Sequence, residues 1–102
     1  MQKKKQYLKK YLIVQKRIAR LSEMALQNPK NKKDYSNEIK ECEALKAEIE
    51  NKISKVDDEL LREVLFLKYT CDKSLSQVSE IISYSRRHTE RLHIAALEKF
   101  EL

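Results

Sequence analysis

Residues 75–100, LSQVSEIISYSRRHTERLHIAALEKF, predict two short helices joined by a tight turn. Apolar residues recur at helical spacing before the turn, at Leu75, Val78, Ile81 and Ile82. The same period resumes after the turn, at Thr89, Leu92, Ala96 and Phe100. Between the two runs, Ser83 and Ser85 bracket Tyr84. The two helices are therefore expected to share one small core, in the pattern of a helix-turn-helix.

The second of these helices begins with a cluster of basic side chains. Arg86, Arg87 and Arg91 fall within two helical turns, and His88 lies among them. In a helix-turn-helix that binds DNA, the second helix lies in the major groove and its N-terminal residues contact base edges. The sequence thus predicts a DNA-reading helix. The alternative is that the three arginines are only the solvated face of an amphipathic helix.

The composition predicts an all-α protein. The 102 residues include no glycine and one proline, Pro29, whereas tight β-hairpins usually require glycine. Cys42 and Cys71 lie far apart in the sequence and are expected to be reduced thiols of a cytoplasmic protein. Charged residues interrupt the lysine-rich N-terminus too often for a signal peptide or a membrane span. No membrane partner is therefore expected.

The net charge of +6 is unevenly distributed. Residues 1–33 contain eleven basic residues and one acidic residue. Residues 34–67 contain five basic and ten acidic residues, and residues 68–102 contain six basic and five acidic residues. This split favours contact of the first segment with an anionic partner or with the acidic second segment, and both can hold at once.

Two long amphipathic helices are predicted in the first half of the chain. From Lys3 to Gln27 the spacing is that of a heptad seam, through Tyr7, Tyr11, Val14, Ile18, Leu21 and Ala25. A second stripe follows through Ile39, Cys42, Leu45 or Lys46, Ile49, Ile53 and Val56.

The connection between these two helices is short. Pro29 and Asn31 interrupt the pattern over residues 28–33, and Asp34 or Ser36 is expected to cap the second helix. A connection of this length favours an antiparallel helical hairpin over residues 1–56. Ion pairs between its basic first helix and its acidic second helix would contribute about 0.3 to 0.5 kcal/mol each.

A third helix is predicted from Glu59 to Thr70. Asp57 and Asp58 provide an N-cap and an acid for its first turn, and its residues are mostly apolar. This helix is expected to close the core over the helix-turn-helix, which gives a second domain over residues 57–102.

The basic residues of the first helix leave two alternatives open. Their side chains could extend contact with phosphates, which would steepen the salt dependence of binding, or they could form a solubilising outer face. The set consists of Lys3, Lys4, Lys5, Lys9, Lys10, Lys16, Arg17 and Arg20. The heptad stripe is similarly interpreted as hairpin core, with a homodimer interface as the alternative.

The sequence offers little basis for an enzyme. His88 and His93 are five residues apart, the two cysteines lack the paired spacing of a metal site, and no glycine is present to form a phosphate-binding loop. His93 is expected to be a surface or packing histidine, without a catalytic role. We therefore expect no catalytic residues, no metal and no cofactor.

Residues 60–100, LLREVLFLKYTCDKSLSQVSEIISYSRRHTERLHIAALEKF, resemble region four of bacterial sigma factors and the sigma-four-like domains of phage regulators. The shared pattern is a helix that ends in an aromatic residue, a polar loop, a second helix, a turn, and Ser-Arg followed by apolar residues. In this chain, the positions of that pattern are occupied by Tyr69, Leu75, Gln77, Ser85, Arg86, Leu92, Ala96 and Leu97. Two residues depart from it: Ser83 replaces the turn glycine, and Thr89 replaces a branched apolar residue. With a helical hairpin in front, the whole chain resembles small prophage regulators of late genes, the ArpU type.

The resemblance implies a transcriptional activator, encoded by a phage or prophage, that acts at a promoter with host RNA polymerase. It places Arg86, Arg87, Glu90 and Arg91 toward DNA, with His88, Ser85 and Gln77 as candidates for phosphate contact. Arginine can pair with O6 and N7 of guanine, and Glu90 could accept from N4 of cytosine. Two alternatives remain: a DNA-packaging or scaffold protein like a small terminase subunit, and a protein-interaction module with a degenerate helix-turn-helix.

Overall fold

The computed structural model describes residues 1–28, 30 and 32–102, and every regular element within them is helical. The all-α prediction is therefore confirmed. The helices are α1 (Gln2–Gln27), α2 (Lys32–Ser54), α3 (Glu59–Leu65), α4 (Leu75–Ile82) and α5 (Arg86–Lys99). A π-helical segment, Phe66–Thr70, directly follows α3. Pro29 and Asn31, on which the predicted interruption depends, lie outside the described residues.

The two long helices pack against each other in opposite directions. The Nζ atom of Lys52 lies 4.8 Å from the centre of the Tyr7 ring, whereas Lys46 lies 5.2 Å from that of Tyr11. Of the predicted stripe of α1, Tyr11, Val14 and Leu21 are buried. Leu8 is fully buried as well and was missed, because a seam of single residues at heptad spacing is narrower than the apolar face that α1 uses.

The prediction of a cap at Asp34 or Ser36 is wrong. Helix α2 begins at Lys32, so both residues lie inside the helix, with Asp34 in its first turn. The carboxylate of Asp34 is then favourably placed near the positive end of the helix dipole.

The expected ion pairs between α1 and α2 are not found among the described residues, where the only ion pair joins Arg86 to Glu90. The carboxylates of α2 accept hydrogen bonds from tyrosines instead. The Tyr7 hydroxyl donates to Glu48 Oε2 at 2.9 Å, and the Tyr11 hydroxyl donates to Glu50. Burial and these hydrogen bonds raise the pKa of both tyrosines to about 12. Apolar burial, more than charge, holds these two helices together.

The predicted third helix is present as α3 and the π-helical segment. Asp58 is its N-cap and accepts from Leu61 N at 3.0 Å. In the π-helical segment the backbone bond runs from Cys71 N to Phe66 O, at 3.1 Å, and the Thr70 hydroxyl also donates to that carbonyl, at 2.6 Å. The wider turn was not predicted, since residue periodicity over five positions does not distinguish it from an α-helix.

One hydrophobic core crosses the predicted boundary between residues 56 and 57. It is formed by Leu8, Tyr11, Ile49, Ile53, Val56, Leu61, Leu65, Tyr69, Ala96, Leu97 and Phe100. The start of α1 and the end of α2 thus pack directly on α3 and α5. The Lys4 ammonium adds hydrogen bonds to the carbonyls of Leu97 and Glu98, at 2.9 and 3.3 Å.

Cys42 is buried, Cys71 is exposed, and both are free thiols. Among the described residues, no helix combines the length and the apolar character that a membrane span requires.

Candidate nucleic-acid interface

Three residues, Ser83 to Ser85, connect α4 to α5. Ser83 adopts a left-handed conformation with φ 62° and ψ 39°, the region in which glycine is usual at the end of a helix. The adjacent Tyr84 N–H donates to the Ser79 carbonyl at 3.1 Å. The serine that replaces glycine in the sequence pattern therefore makes the turn that glycine would make, at a cost of about 1 kcal/mol.

Both helices of this unit have side-chain caps. Ser74 and Gln77 form a reciprocal capping box at the start of α4, and Ser85 accepts from His88 N at 3.1 Å at the start of α5. The hydroxyl proton of Ser85 and the side-chain Nε2 of Gln77 are not used in these caps. Each residue therefore keeps a side-chain donor that these caps do not use.

Thr89 anchors the start of α5 in the core. Its side chain is fully buried, and its hydroxyl donates to the Ser85 carbonyl at 2.8 Å. This bond satisfies the polar atom, while the methyl group packs as a branched apolar residue would. The predicted core position of Thr89 is confirmed.

The three arginines of α5 differ in their surroundings. Arg86 is paired with Glu90, with 3.3 Å between Nε and Oε1, and its guanidinium donates to the Ser76 hydroxyl of α4 at 2.5 Å. Arg87 and Arg91 are exposed, and within the described ranges no hydrogen bond or ion pair engages them. Since they lie four residues apart, they project from the same side of α5, one turn from each other.

His88 lies beside the connection between the helices. Its exposed ring packs against that of Tyr84, with 4.8 Å between ring centres. This contact orients both side chains at the N-terminal end of α5, where a helix presents unpaired N–H groups to anions.

Exposed apolar side chains flank the basic residues. Ile81, Tyr84 and Ile94 are 53%, 46% and 49% exposed. The prediction that Ile81 belongs to the shared core is wrong, because the eight-residue α4 buries only the side that carries Val78 and Ser79. Spacing alone could not separate Ile81 from Ile82, since both lie near the predicted apolar face.

A buried polar pair supports α5 from beneath. The Tyr69 hydroxyl and His93 Nε2 lie 2.7 Å apart, and both side chains are buried. Burial, with smaller contributions from Lys68 and Lys5, lowers the pKa of His93 to about 4, and burial raises that of Tyr69 to about 12. His93 is therefore neutral near pH 7 and is a packing residue, one of the two roles expected of it.

The described residues contain no group of three or more histidine, cysteine or acidic side chains placed to hold a metal ion. The exposed side of α4 and α5 offers the positive charges of Arg87 and Arg91, together with hydrogen-bond donors and some apolar area. Such a surface suits recognition of an anionic macromolecule.

The chain matches no protein-family model, no curated protein and no solved structure.

Proposed function

We propose that the protein is a sequence-specific DNA-binding transcriptional regulator in which α4 and α5 form a helix-turn-helix and α5 is the reading helix. The observation that carries this proposal is the state of Arg87 and Arg91, which project into solvent from the start of α5 with no intramolecular partner in the described chain. In the helix-turn-helix geometry, this end of the second helix contacts base edges in the major groove.

The surroundings of the arginines suggest separate roles. Arg87 and Arg91 can each turn toward a guanine, for which a bidentate contact is worth about 1 to 3 kcal/mol of discrimination. Arg86 is held between Glu90 and Ser76, so it orients the reading helix and contacts DNA from a fixed position. Ser85, His88 and Gln77 contribute contacts to phosphates.

In this proposal residues 1–56 form a helical hairpin in front of a sigma-four-like domain at residues 57–102. The resemblance to sigma-four-like prophage regulators supports action at a promoter, in a bacterial cytoplasm, with RNA polymerase as a second partner. The protein acts by binding and has no catalytic step. The α1 stripe packs against α2 of the same chain, which favours hairpin core over the homodimer alternative.

A protein-interaction module is a second candidate. The partial exposure of Ile81, Tyr84 and Ile94 favours it, because apolar area of this kind is typical of a surface that binds another protein. The two candidates predict opposite results for DNA binding.

The test is fluorescence-anisotropy binding to duplex fragments from the protein's own genomic neighbourhood, with bulk competitor DNA. We expect the wild type to prefer one fragment and Arg87→Ala/Arg91→Ala to lose that preference by about 10- to 100-fold. The matched control is Lys40→Ala/Lys55→Ala, which removes two exposed charges outside α4 and α5 and should retain the preference.

Two results would contradict the proposal. If the double arginine variant keeps the full preference, α5 does not read the sequence. If the wild type binds no duplex at either low or moderate salt, the interaction module is the better interpretation.

A further inference from the structure

A second basic surface lies on the outward side of α1. It consists of Lys9, Lys10, Lys16, Arg17 and Arg20, all of them exposed, and is called here the α1 basic face. At 100° per residue these positions fall within an arc of about 120°, and they span about 16 Å of helix. Ile13 lies at the centre of the arc and is 64% exposed. Residues 9–20 contain no acidic residue.

No ion pair within the described chain engages the side chains of this face. The only ion pair there lies in α5, and Glu48 and Glu50 of α2 accept hydrogen bonds from Tyr7 and Tyr11. The acidic second helix therefore does not pair with the α1 basic face. Lys4 differs from these residues, because its ammonium donates hydrogen bonds to the carbonyls of Leu97 and Glu98 at the end of α5.

One residue of the α1 basic face, Lys16, lies beside the segment that leads into α4. Lys16 lines a shallow cleft together with Thr70, Cys71 and Asp72, and α4 begins three residues later, at Leu75. In a helix-turn-helix complex the first helix crosses the DNA backbone. A duplex bound in this way would bring a phosphate backbone to α4, and the cleft places Lys16 beside the segment that leads into that helix.

We infer that the α1 basic face binds the phosphate backbone of duplex DNA beside the segment that α5 reads. The inference rests on the proposed function for its choice of DNA as the polyanion. Because one strand carries a phosphate about every 3.4 Å along the axis, 16 Å of helix matches about five phosphate positions. Contacts of this kind carry no sequence information, so the face adds affinity and salt dependence without adding preference.

The structure favours DNA over an anionic membrane. A helix that lies on a membrane buries an apolar face in it, but the apolar residues Leu8, Tyr11 and Val14 are buried within the protein. Only Ile13 is apolar within the arc of the α1 basic face. A surface with this composition can bind charge but has little to insert into lipid.

The experiment measures the slope of log K against log salt for a duplex of arbitrary sequence. The test variant is Lys9→Gln/Lys10→Gln/Lys16→Gln/Arg17→Gln/Arg20→Gln, in which glutamine preserves helix propensity. The matched control removes the same number of positive charges from scattered exposed positions, Lys3→Gln/Lys30→Gln/Lys40→Gln/Lys55→Gln/Lys99→Gln. Circular dichroism establishes that both variants retain the helical content of the wild type.

We expect the slope of the test variant to become less steep by about 0.9 for each lost phosphate contact, and by about 4.5 if all five residues engage. The slope of the control variant should differ from that of the wild type by less than about 1. Equal slopes for the test variant and the wild type would overturn the inference, as would equal losses in both variants. Binding to phosphatidylserine vesicles or to polyglutamate that depends on the α1 basic face and exceeds binding to DNA would also overturn it.

A second readout separates this inference from the proposed function. Preference for one genomic fragment should persist in the α1 variant and disappear in Arg87→Ala/Arg91→Ala. If no fragment is preferred but the α1 variant still loses its salt slope, the inference stands and sequence-specific reading fails. If one fragment is preferred and the α1 variant has the salt slope of the wild type, sequence-specific reading stands and the inference fails.

Discussion

The α1–α2 pair and the α4–α5 unit are built on different principles. Buried residues of α1 and α2 include the aliphatic residues Leu8, Val14 and Ile49, which need no hydrogen-bond partner. The buried serine, threonine and histidine of the described chain are Ser79, Thr89 and His93, which all lie in α4 and α5. Each is hydrogen-bonded, to Ser76 O, Ser85 O and the Tyr69 hydroxyl.

This difference shows where the molecule requires a single geometry. An apolar seam tolerates changes that preserve volume and pattern, whereas a buried polar group requires a partner at a fixed distance and angle. Under the proposed function, the α4–α5 unit is the part that needs a defined orientation. We therefore expect substitutions there to have larger effects than chemically matched substitutions in the long helices.

The largest expected difference comes from two leucine truncations. Leu97→Ala should lower the free energy of unfolding by about 4 to 5 kcal/mol, because its fully buried side chain belongs to the core shared by α1, α2, α3 and α5. Leu21→Ala, toward the far end of the long helices, should cost about 2 to 3 kcal/mol because two helices can partly close the gap. Urea denaturation followed by far-UV circular dichroism measures both. Equal costs would remove the distinction between the regions.

The pH dependence of stability gives the next largest effect. The pKa of His93 is about 4 in the folded protein, whereas its ordinary value of 6.5 applies to the unfolded chain. As the pH falls, the unfolded state therefore binds a proton first. Stability from this residue should be fully present above pH 6.5 and decrease by about 2 to 3 kcal/mol toward pH 4. Urea denaturation of the wild type and His93→Gln at several pH values tests this.

His88→Gln provides the control for that series, because His88 is exposed. It makes the same substitution at an exposed position, so it separates the loss of any imidazole from the loss of the buried one. A wild-type curve that runs parallel to the His93→Gln curve between pH 4 and 6.5 would show that the buried pair does not couple protonation to folding.

The smallest effect concerns the turn. Ser83→Gly should raise the free energy of unfolding by about 0.5 to 1 kcal/mol, since glycine adopts a φ of 62° without steric cost. Ser36→Gly, at an exposed position inside α2, should lower it by a similar amount. Thermal denaturation of the pair measures both signs. A loss of stability in Ser83→Gly would indicate that the serine side chain contributes to the turn.

Local patterns in the sequence predicted most helix positions and several ends. Asp58 and Thr89 are recognisable because a cap and a β-branched core residue each act within a few positions, whereas Ser83 was assigned to the turn by the resemblance. The arginines of α5 were found in the same way, through their spacing relative to the turn. The sequence did not predict their different environments, because the hydrogen bond from Arg86 to Ser76 depends on how α4 and α5 pack.

Residue spacing and composition were enough to establish that the chain is helical and to predict that its basic residues cluster at the start of α5 and along α1, since these properties depend on neighbours within one or two helical turns. Tertiary structure alone decided that Tyr69 contacts His93 and that Lys4 reaches the end of α5. These contacts join residues far apart in the sequence. Their formation depends on the packing of whole helices around a shared core, which no local period encodes.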